Sequence, residues 1–252
     1  MPWTTELNEE SFSGHIDMRL KVINPNTSAE MTASIGAIAQ AHASSTTDVV
    51  TVCPSAGPAS IESYYDEYLA IPNVMAEVQR DEDQFDGFVL ACWGDPGLDG
   101  VREITRKPVV GIAEASMYAA NAIAPRWSVV TTLARTHHMV EAIIQKTGLG
   151  DRCRSVRCVD LPVLACESDP QLVVDGLKRM SQIALTEDGA EAIILGCAGM
   201  GGLDQTLSQA LGVPVVDPVA AGVRFAEMLV GMKLQTSKWL TYRFPETKEI
   251  KV

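Results

Sequence analysis

Two cysteines follow short apolar segments in a pattern that the sequence contains twice. Cys92 comes after Phe-Val-Leu-Ala and Cys197 after Ile-Ile-Leu-Gly, and glycines follow each cysteine. A Leu-Asp pair then stands six and seven residues beyond each of them. A thiolate can accept a proton and a thiol can donate one, so two such groups on opposite faces of a carbon atom could invert a stereocentre. We therefore predict that Cys92 and Cys197 face one another across one substrate.

The local setting of the two cysteines favours this chemistry. Each apolar segment is typical of a buried strand, and ligands of parallel α/β sheets bind beyond the carboxyl ends of the strands. We expect a helix to begin soon after each cysteine, at Asp95-Pro96 in the first case, and a helix N-terminus lowers the pKa of a nearby thiol. Backbone N–H groups that could then hold an enolate oxygen belong to Trp93, Gly94, Ala198 and Gly199.

Predicted strands alternate with predicted helices along the rest of the chain. The strands are expected near residues 19–23, 48–52, 85–91, 108–112, 127–131, 153–161, 192–195 and 214–217. This alternation indicates an α/β fold with parallel sheets. Because the order of elements repeats, we predict two pseudo-symmetric lobes, each a small parallel sheet flanked by helices, with the active site between them. We assign residues 18–114 and 218–252 to the first lobe, 115–217 to the second, and 1–17 to a disordered N-terminal extension.

Composition narrows the class of protein. The 252 residues carry a net charge of −12, which disfavours nucleic acid and anionic membrane surfaces as partners. The N-terminal stretch lacks the apolar core of a signal peptide, and no apolar run approaches the roughly 18 residues that a membrane span needs. The six scattered cysteines form no zinc-binding pattern and are typical of reduced thiols. We predict a cytoplasmic protein without a metal site.

Six segments, in this order along the chain, resemble the hydantoin racemase branch of the aspartate/glutamate racemase superfamily. They are residues 23–28 (INPNTS), 57–62 (GPASIE), 91–97 (ACWGDPG), 111–115 (GIAEA), 130–133 (VTTL) and 196–200 (GCAGM). The resemblance covers about residues 18–232 and leaves the two ends of the chain without an assigned role.

The resemblance implies a cofactor-independent racemase with two flavodoxin-like lobes, in which Cys92 and Cys197 are the acid and the base. The implied substrate is a 5-substituted hydantoin, whose C5 proton lies beside a carbonyl group. Allantoin, itself a ureido-hydantoin, is the alternative substrate, and the motifs do not separate the two. Members of this branch commonly form homo-oligomers. The further positions that we expect to contact substrate are Asn24, Trp93, Gly94, Thr131, Thr132, Gly196, Ala198 and Gly199.

Functions of other kinds stay open at this point. A maleate isomerase-like enzyme would also use two cysteines, whereas an arylmalonate decarboxylase-like enzyme is expected to keep only the second, so Cys92 argues against it. A small-molecule-binding protein without turnover is possible on this fold, but it has no need of two activated thiols. His137 and His138 suggest a base or a metal site, yet adjacent helical residues point about 100° apart, so we predict no site there.

Overall fold

The computed structural model describes residues 16–249, which contain two four-stranded parallel sheets. Of the predicted N-terminal extension, residues 1–15 lie outside the described residues. The strands are β1 (Met18–Ile23), β2 (Thr47–Val52), β3 (Gly87–Leu90), β4 (Val109–Gly111), β5 (Trp127–Thr131), β6 (Cys153–Cys158), β7 (Ala192–Leu195) and β8 (Val215–Val216).

The two sheets have the same strand order. The first runs β2-β1-β3-β4 and the second β6-β5-β7-β8, so each strand of one sheet has a counterpart in the other. Every strand pairing is parallel. The predicted α/β fold with two lobes is therefore confirmed.

Helices cover both sheets and account for the apolar character of the strands. They are α1 (Ala29–His42), α2 (Tyr64–Gln79), α3 (Leu98–Ile104), α4 (Ile112–Ile123), α5 (His137–Lys146), α6 (Ala165–Ser168), α7 (Pro170–Thr186), α8 (Asp204–Leu211) and α9 (Pro218–Gly231). Every residue of β3 and of β7 is buried, because parallel strands between two helical layers have no solvent-facing side. Local signals set several helix ends. Ser28 caps α1 through its hydroxyl, which accepts the N–H of Met31, and Gly212 ends α8 with a φ of 72°.

Two helices join the lobes. The helix α4 begins directly after β4 of the first sheet and packs against β7 and β8 of the second. The helix α9 begins after β8 and packs back against β1, β3 and β4. These contacts agree with a first lobe that includes the last helix, while the boundaries at residues 114 and 217 stay a prediction.

The helices α4 and α9 pack closely because α9 has a glycine at the contact. A Cβ atom on Gly222 would lie 2.8 Å from Cγ2 of Ile112 and 3.0 Å from Cγ1 of Val89. Gly231, at the end of the same helix, has open space around its Cα. The first glycine is therefore required by packing and the second is not.

We expect Gly222→Ala to lower the free energy of unfolding by about 1–3 kcal/mol, because the added methyl group overpacks the contact between α9 and the first sheet. Gly231→Ala is the matched control, and it should be neutral or stabilising by up to about 1 kcal/mol, since alanine is the better helix former. Urea unfolding curves measure both changes. Equal stability of the two variants would show that the contact tolerates a methyl group.

Candidate active site

A cavity lies at the carboxyl ends of the central strands of both sheets. The residues that directly follow β1, β3, β5 and β7 line it, so each lobe contributes two strand ends. Such strand ends are where ligands bind in open α/β sheets. Of the residues predicted from the sequence, the cavity is lined by Asn24, Cys92, Trp93, Gly94, Thr131, Thr132, Gly196, Cys197 and Ala198. The two thiols thus belong to one cavity and come to it from different sheets.

Gly199, the remaining predicted contact, does not line the cavity. A Cβ atom there would lie 3.1 Å from the Cβ of Cys166, so Gly199 packs against a side chain behind the cavity. Gly196 also has a packing role. Its Cβ would lie 2.7 Å from the Cβ of Thr131, whose hydroxyl donates to the Gly196 carbonyl at 2.9 Å. Only glycine allows the end of β7 to approach β5 this closely.

The turn after Cys92 differs from the prediction. The expected helix start at Asp95-Pro96 is wrong, because α3 begins only at Leu98. Asp95 instead adopts a left-handed conformation with a φ of 43°, and its carboxylate accepts the N–H groups of Ala113 and Glu114 at 3.0 Å each. Asp95 therefore caps α4 rather than α3. Burial raises the pKa of this carboxyl to about 7, although the two N–H donors oppose the rise.

Cys92 is held as a neutral thiol. Burial raises its pKa to about 12, and the N–H of Gly94 only partly opposes this effect. The neighbouring Cys197 raises it further. The predicted lowering of this pKa by a helix N-terminus is wrong, since no helix begins next to the thiol. Cys92 is therefore suited to donate a proton at neutral pH.

Cys197 has the opposite tendency. A hydrogen bond with the Cys166 thiol is the main cause that lowers its pKa, and the N–H groups of Gly199 and Met200 lower it too, against the effect of burial. A 3₁₀ turn, Ala198–Met200, follows the cysteine instead of an α-helix. Individual hydrogen bonds, rather than a helix dipole, thus favour the thiolate. The cavity contains one thiol with a raised pKa and one with a lowered pKa.

The predicted enolate donors are partly engaged elsewhere. The N–H groups of Gly94 and Gly199 act on the thiols, since they lower the pKa values of Cys92 and Cys197, respectively. The buried indole Nε1 of Trp93 has no hydrogen-bond partner among the described residues. Because Trp93 lines the cavity, this N–H is a donor that a ligand carbonyl could use.

The predicted polar contacts are themselves fixed by hydrogen bonds. The Asn24 side-chain amide donates to Oδ1 of Asn26 at 2.8 Å and to Oγ1 of Thr32 at 3.0 Å. Asn26 also lines the cavity and was not predicted, although it belongs to the same turn. These hydrogen bonds fix the orientation of the Asn24 side chain at the polar side of the cavity.

An apolar wall of the cavity was missed by the sequence reasoning. Its members are Met31, Ile61, Met139, Val140, Ile143 and Val163. The only signal in the sequence was the apolar spacing within α5. That spacing does not show whether the apolar face of a helix lines a cavity or packs in the hydrophobic core.

His137 and His138, on the same helix, do not line the cavity. His137 Nε2 instead lies 3.2 Å from the carbonyl oxygen of Val156.

One group of side chains among the described residues has the spacing of metal ligands. His42, Asp204 and Asp217 place ligand atoms within 4.8 Å of one another, away from the cavity residues. Both oxygens of Asp217 already accept backbone N–H groups, one from Gly202 and one from Val219. Asp217 thus serves as the N-cap of α9. Within residues 16–249, no helix is long and apolar enough to cross a membrane.

Comparison with known proteins identifies the family. The sequence profile described as Asp/Glu/Hydantoin racemase matches residues 20–226. The chain belongs to the Asp/Glu/hydantoin racemase family. It is 50% identical to a hydantoin racemase of Pseudomonas sp. (strain NS671), over 92% of this chain and 94% of that protein. The enzyme is accordingly an isomerase of the racemase class, and the maleate isomerase-like and non-catalytic alternatives are set aside.

Solved structures of this racemase family share the fold. An allantoin racemase from Klebsiella pneumoniae superposes with a TM-score of 0.91 at 44% identity, covering 93% of this chain and 96% of that one. An allantoin racemase from Pseudomonas fluorescens has the same TM-score at 41% identity, covering 93% and 100%. The relatives thus include enzymes named for both of the predicted substrates.

We expect iodoacetamide at pH 8 to modify Cys197 faster than Cys92. The thiolate is the reactive form, and a pKa of about 12 leaves roughly one Cys92 in ten thousand ionised at that pH. The lowered pKa of Cys197 gives it the larger thiolate fraction. Mass spectrometry of tryptic peptides after timed quenching measures both rates. Faster modification of Cys92 would contradict the assigned protonation states.

Proposed function

We propose that this racemase inverts the C5 stereocentre of 5-substituted hydantoins by proton transfer between Cys92 and Cys197. The observation that carries the proposal is the pair of thiols with opposite protonation preferences, which line one cavity from two different sheets. A racemase that uses two bases needs this asymmetry, because one group must accept a proton while the other still holds one.

The transfer can be written with all protons accounted for. The Cys197 thiolate takes the C5 proton, and the electron pair moves onto the adjacent carbonyl oxygen to give an enolate. The Cys92 thiol then delivers its proton to the opposite face of C5, which restores the carbonyl and leaves the other enantiomer. The enzyme is left with a neutral Cys197 and a Cys92 thiolate, the state that processes the product enantiomer in reverse. The indole N–H of Trp93 is the donor available to the enolate oxygen.

We expect Cys92→Ser and Cys197→Ser each to lower racemisation by roughly 10²–10⁴-fold, because a serine hydroxyl replaces the acid–base thiol poorly. Each variant should still exchange the C5 proton of one enantiomer with deuterium, and the two variants should act on opposite enantiomers. Exchange at neutral pH should be faster in Cys92→Ser, which keeps the more acidic thiol. Proton NMR in D₂O measures the exchange, and chiral chromatography measures racemisation.

Cys153→Ser is the matched control for these variants. Cys153 is a half-buried free cysteine at the amino end of β6 and does not line the cavity. Its substitution should leave racemisation unchanged. Exchange of both enantiomers by either single variant would refute a mechanism with one base on each face.

The cavity favours an apolar substituent at C5. Six aliphatic or thioether side chains line it, whereas Asn24, Asn26, Thr131 and Thr132 lie at or just beyond the ends of β1 and β5, and the hydroxyl of the remaining threonine, Thr136, donates to the Leu133 carbonyl. A hydantoin ring matches the polar part, and an alkyl or aryl group matches the apolar wall. The ureido group of allantoin would need buried hydrogen-bond partners that this wall does not offer. Allantoin nevertheless stays the second candidate, because the two structural neighbours named above are allantoin racemases.

We expect kcat/KM for 5-benzylhydantoin and 5-isobutylhydantoin to exceed that for allantoin by about tenfold or more, the effect of burying an amide group without partners. Polarimetry with both enantiomers of each compound, in buffer containing EDTA, measures the ratio. The EDTA also tests the proposal that no metal takes part. Higher kcat/KM for allantoin would make it the substrate of this enzyme.

Three further attributes belong to the same proposal. The cysteines are all free thiols, which supports a reducing compartment and therefore the cytoplasm. The net charge of −12 supports a small-molecule substrate rather than nucleic acid.

We also propose a homo-oligomer, for which the exposed Tyr65, Tyr68 and Leu69 of α2 offer an apolar surface. Light scattering coupled to gel filtration would measure the assembly, and a monomer at micromolar concentration would refute it.

A further inference from the structure

In the first lobe, an aspartate carboxylate joins the loop after Cys92 to the start of a helix. Asp95 belongs to this loop, and its Oδ1 and Oδ2 accept the N–H groups of Ala113 and Glu114, each at 3.0 Å. Both donors lie in the first turn of α4, where N–H groups have no partner within the helix. The carboxylate therefore holds the Cys92 loop against α4.

Asp95 is also bonded directly to Cys92 through the backbone. Its N–H donates to the Cys92 carbonyl at 2.9 Å. Its φ of 43° is left-handed, a conformation that aspartate adopts more readily than most residues. Gly111 leaves the space that the carboxyl group occupies, because a Cβ atom there would lie 2.2 Å from the Asp95 Cγ. The position of the carboxylate thus depends on the turn at Cys92 and on the end of β4.

The second lobe has the same link with the donor and the acceptor exchanged. Asp217 directly precedes α9, and its Oδ1 accepts the N–H groups of Val219 and Ala220 at 2.8 and 3.1 Å. Its Oδ2 accepts the N–H of Gly202, in the loop after Cys197, at 2.7 Å. Asp217 is buried. Here the carboxylate belongs to the helix start and the N–H to the cysteine loop.

Each link connects a cysteine loop with the strand that precedes the other cysteine. The helix α4, which Asp95 holds, packs against β7, and Cys197 follows the end of β7. The helix α9, which Asp217 holds, packs against β3, and Cys92 follows the end of β3. The two links are therefore equivalent under the pseudo-symmetry of the lobes.

We propose that Asp95 and Asp217 are positioning residues, Asp95 for the Cys92 thiol and Asp217 for the Cys197 thiol. Neither aspartate lines the cavity that contains the thiols, so each acts on a substrate only through the cysteine loop that it holds. The proposal deepens the proposed function and rests on it, because it takes each thiol to serve one face of C5. Misplacing such a group by about 1 Å costs roughly 10²-fold in rate.

The test measures deuterium exchange at C5 of each enantiomer of 5-benzylhydantoin in D₂O, with the rate without enzyme subtracted. Asp95→Asn and Asp217→Asn keep the size of the side chain but offer one acceptor oxygen instead of two. The quantity compared is the ratio of the two exchange rates within one preparation. This ratio does not depend on the fraction of folded protein, since both rates scale with it. Cys92→Ser and Cys197→Ser identify the enantiomer that each thiol serves.

We expect Asp95→Asn to slow exchange of the enantiomer served by Cys92 by about 10–100-fold more than exchange of the other, because only the Cys92 loop has lost its link. Asp217→Asn should shift the ratio by a similar factor in the opposite direction. Gly111→Ala crowds the Asp95 carboxylate and should shift the ratio in the same direction as Asp95→Asn.

Asp169→Asn is the matched control. Asp169 caps α7 by accepting the N–H of Leu172 at 3.2 Å, and among the described residues it has no hydrogen bond to either cysteine loop. This variant also replaces a capping carboxylate by an amide, so it should leave the ratio unchanged. A shift as large as that in Asp95→Asn would contradict a specific role for Asp95.

Two further results would overturn the proposal. One is an equal slowing of both enantiomers by the Asp95 and Asp217 variants, which would indicate a purely structural role, and the other is a shift in the same direction in both. If Cys92→Ser and Cys197→Ser exchange the same enantiomer, the proposed function fails and the positioning roles fail with it. If they exchange opposite enantiomers while the aspartate variants leave the ratio unchanged, only the positioning roles fail.

Discussion

One carboxylate in each lobe joins the cysteine turn to a helix that crosses between the sheets. In the first lobe, Asp95 accepts the N–H groups of Ala113 and Glu114 at the start of α4. In the second lobe, Asp217 caps the start of α9 and also accepts the N–H of Gly202, in the loop after Cys197. Removing one partner of such a bond leaves the other unsatisfied, which costs about 1–3 kcal/mol. Each carboxylate thus links its cysteine turn to a helix that packs between the lobes.

The two turns resemble each other in connectivity but not in the chemistry that they impose on their sulfur atoms. The Cys92 turn offers one backbone donor and a buried environment, so the neutral thiol is favoured. The Cys197 turn offers two backbone donors and a neighbouring thiol, which lower the pKa of this cysteine. A proton transfer between such groups changes which of them is ionised. In the proposed mechanism, each inversion therefore leaves the enzyme in a different protonation state from the one in which it began.

Much of the fold could be predicted from the sequence, because its signals are local. The apolar run of β7 and the capping serine of α1 are read directly from residue type and spacing. The predicted helix start at Asp95-Pro96 is wrong because that prediction, too, used only local signals. Proline after an acidic residue is typical of a helix start, but Asp95 found its partners in the N–H groups of Ala113 and Glu114, some 18 residues further along the chain.

The sequence predicts the location of the two cysteines better than it predicts their pKa values. The repeated pattern identified Cys92 and Cys197 as residues of one cavity, and the structure places both there. Their pKa values depend on burial and on individual donors such as Cys166, which a pattern of residue types does not contain. The apolar lining depends in the same way on where α5, which contributes Met139, Val140 and Ile143, lies relative to the other lobe.

The return of α9 to the first sheet has a consequence for biosynthesis. The strands of the second sheet and the helices between them are continuous in sequence, so that lobe can fold as it leaves the ribosome. The first sheet is synthesised earlier, yet it lacks the helix that covers β1, β3 and β4 until residue 231 has emerged. The half of the molecule that is made first is thus the half that is completed last. A protein with this chain order exposes the apolar face of β3 for most of its synthesis.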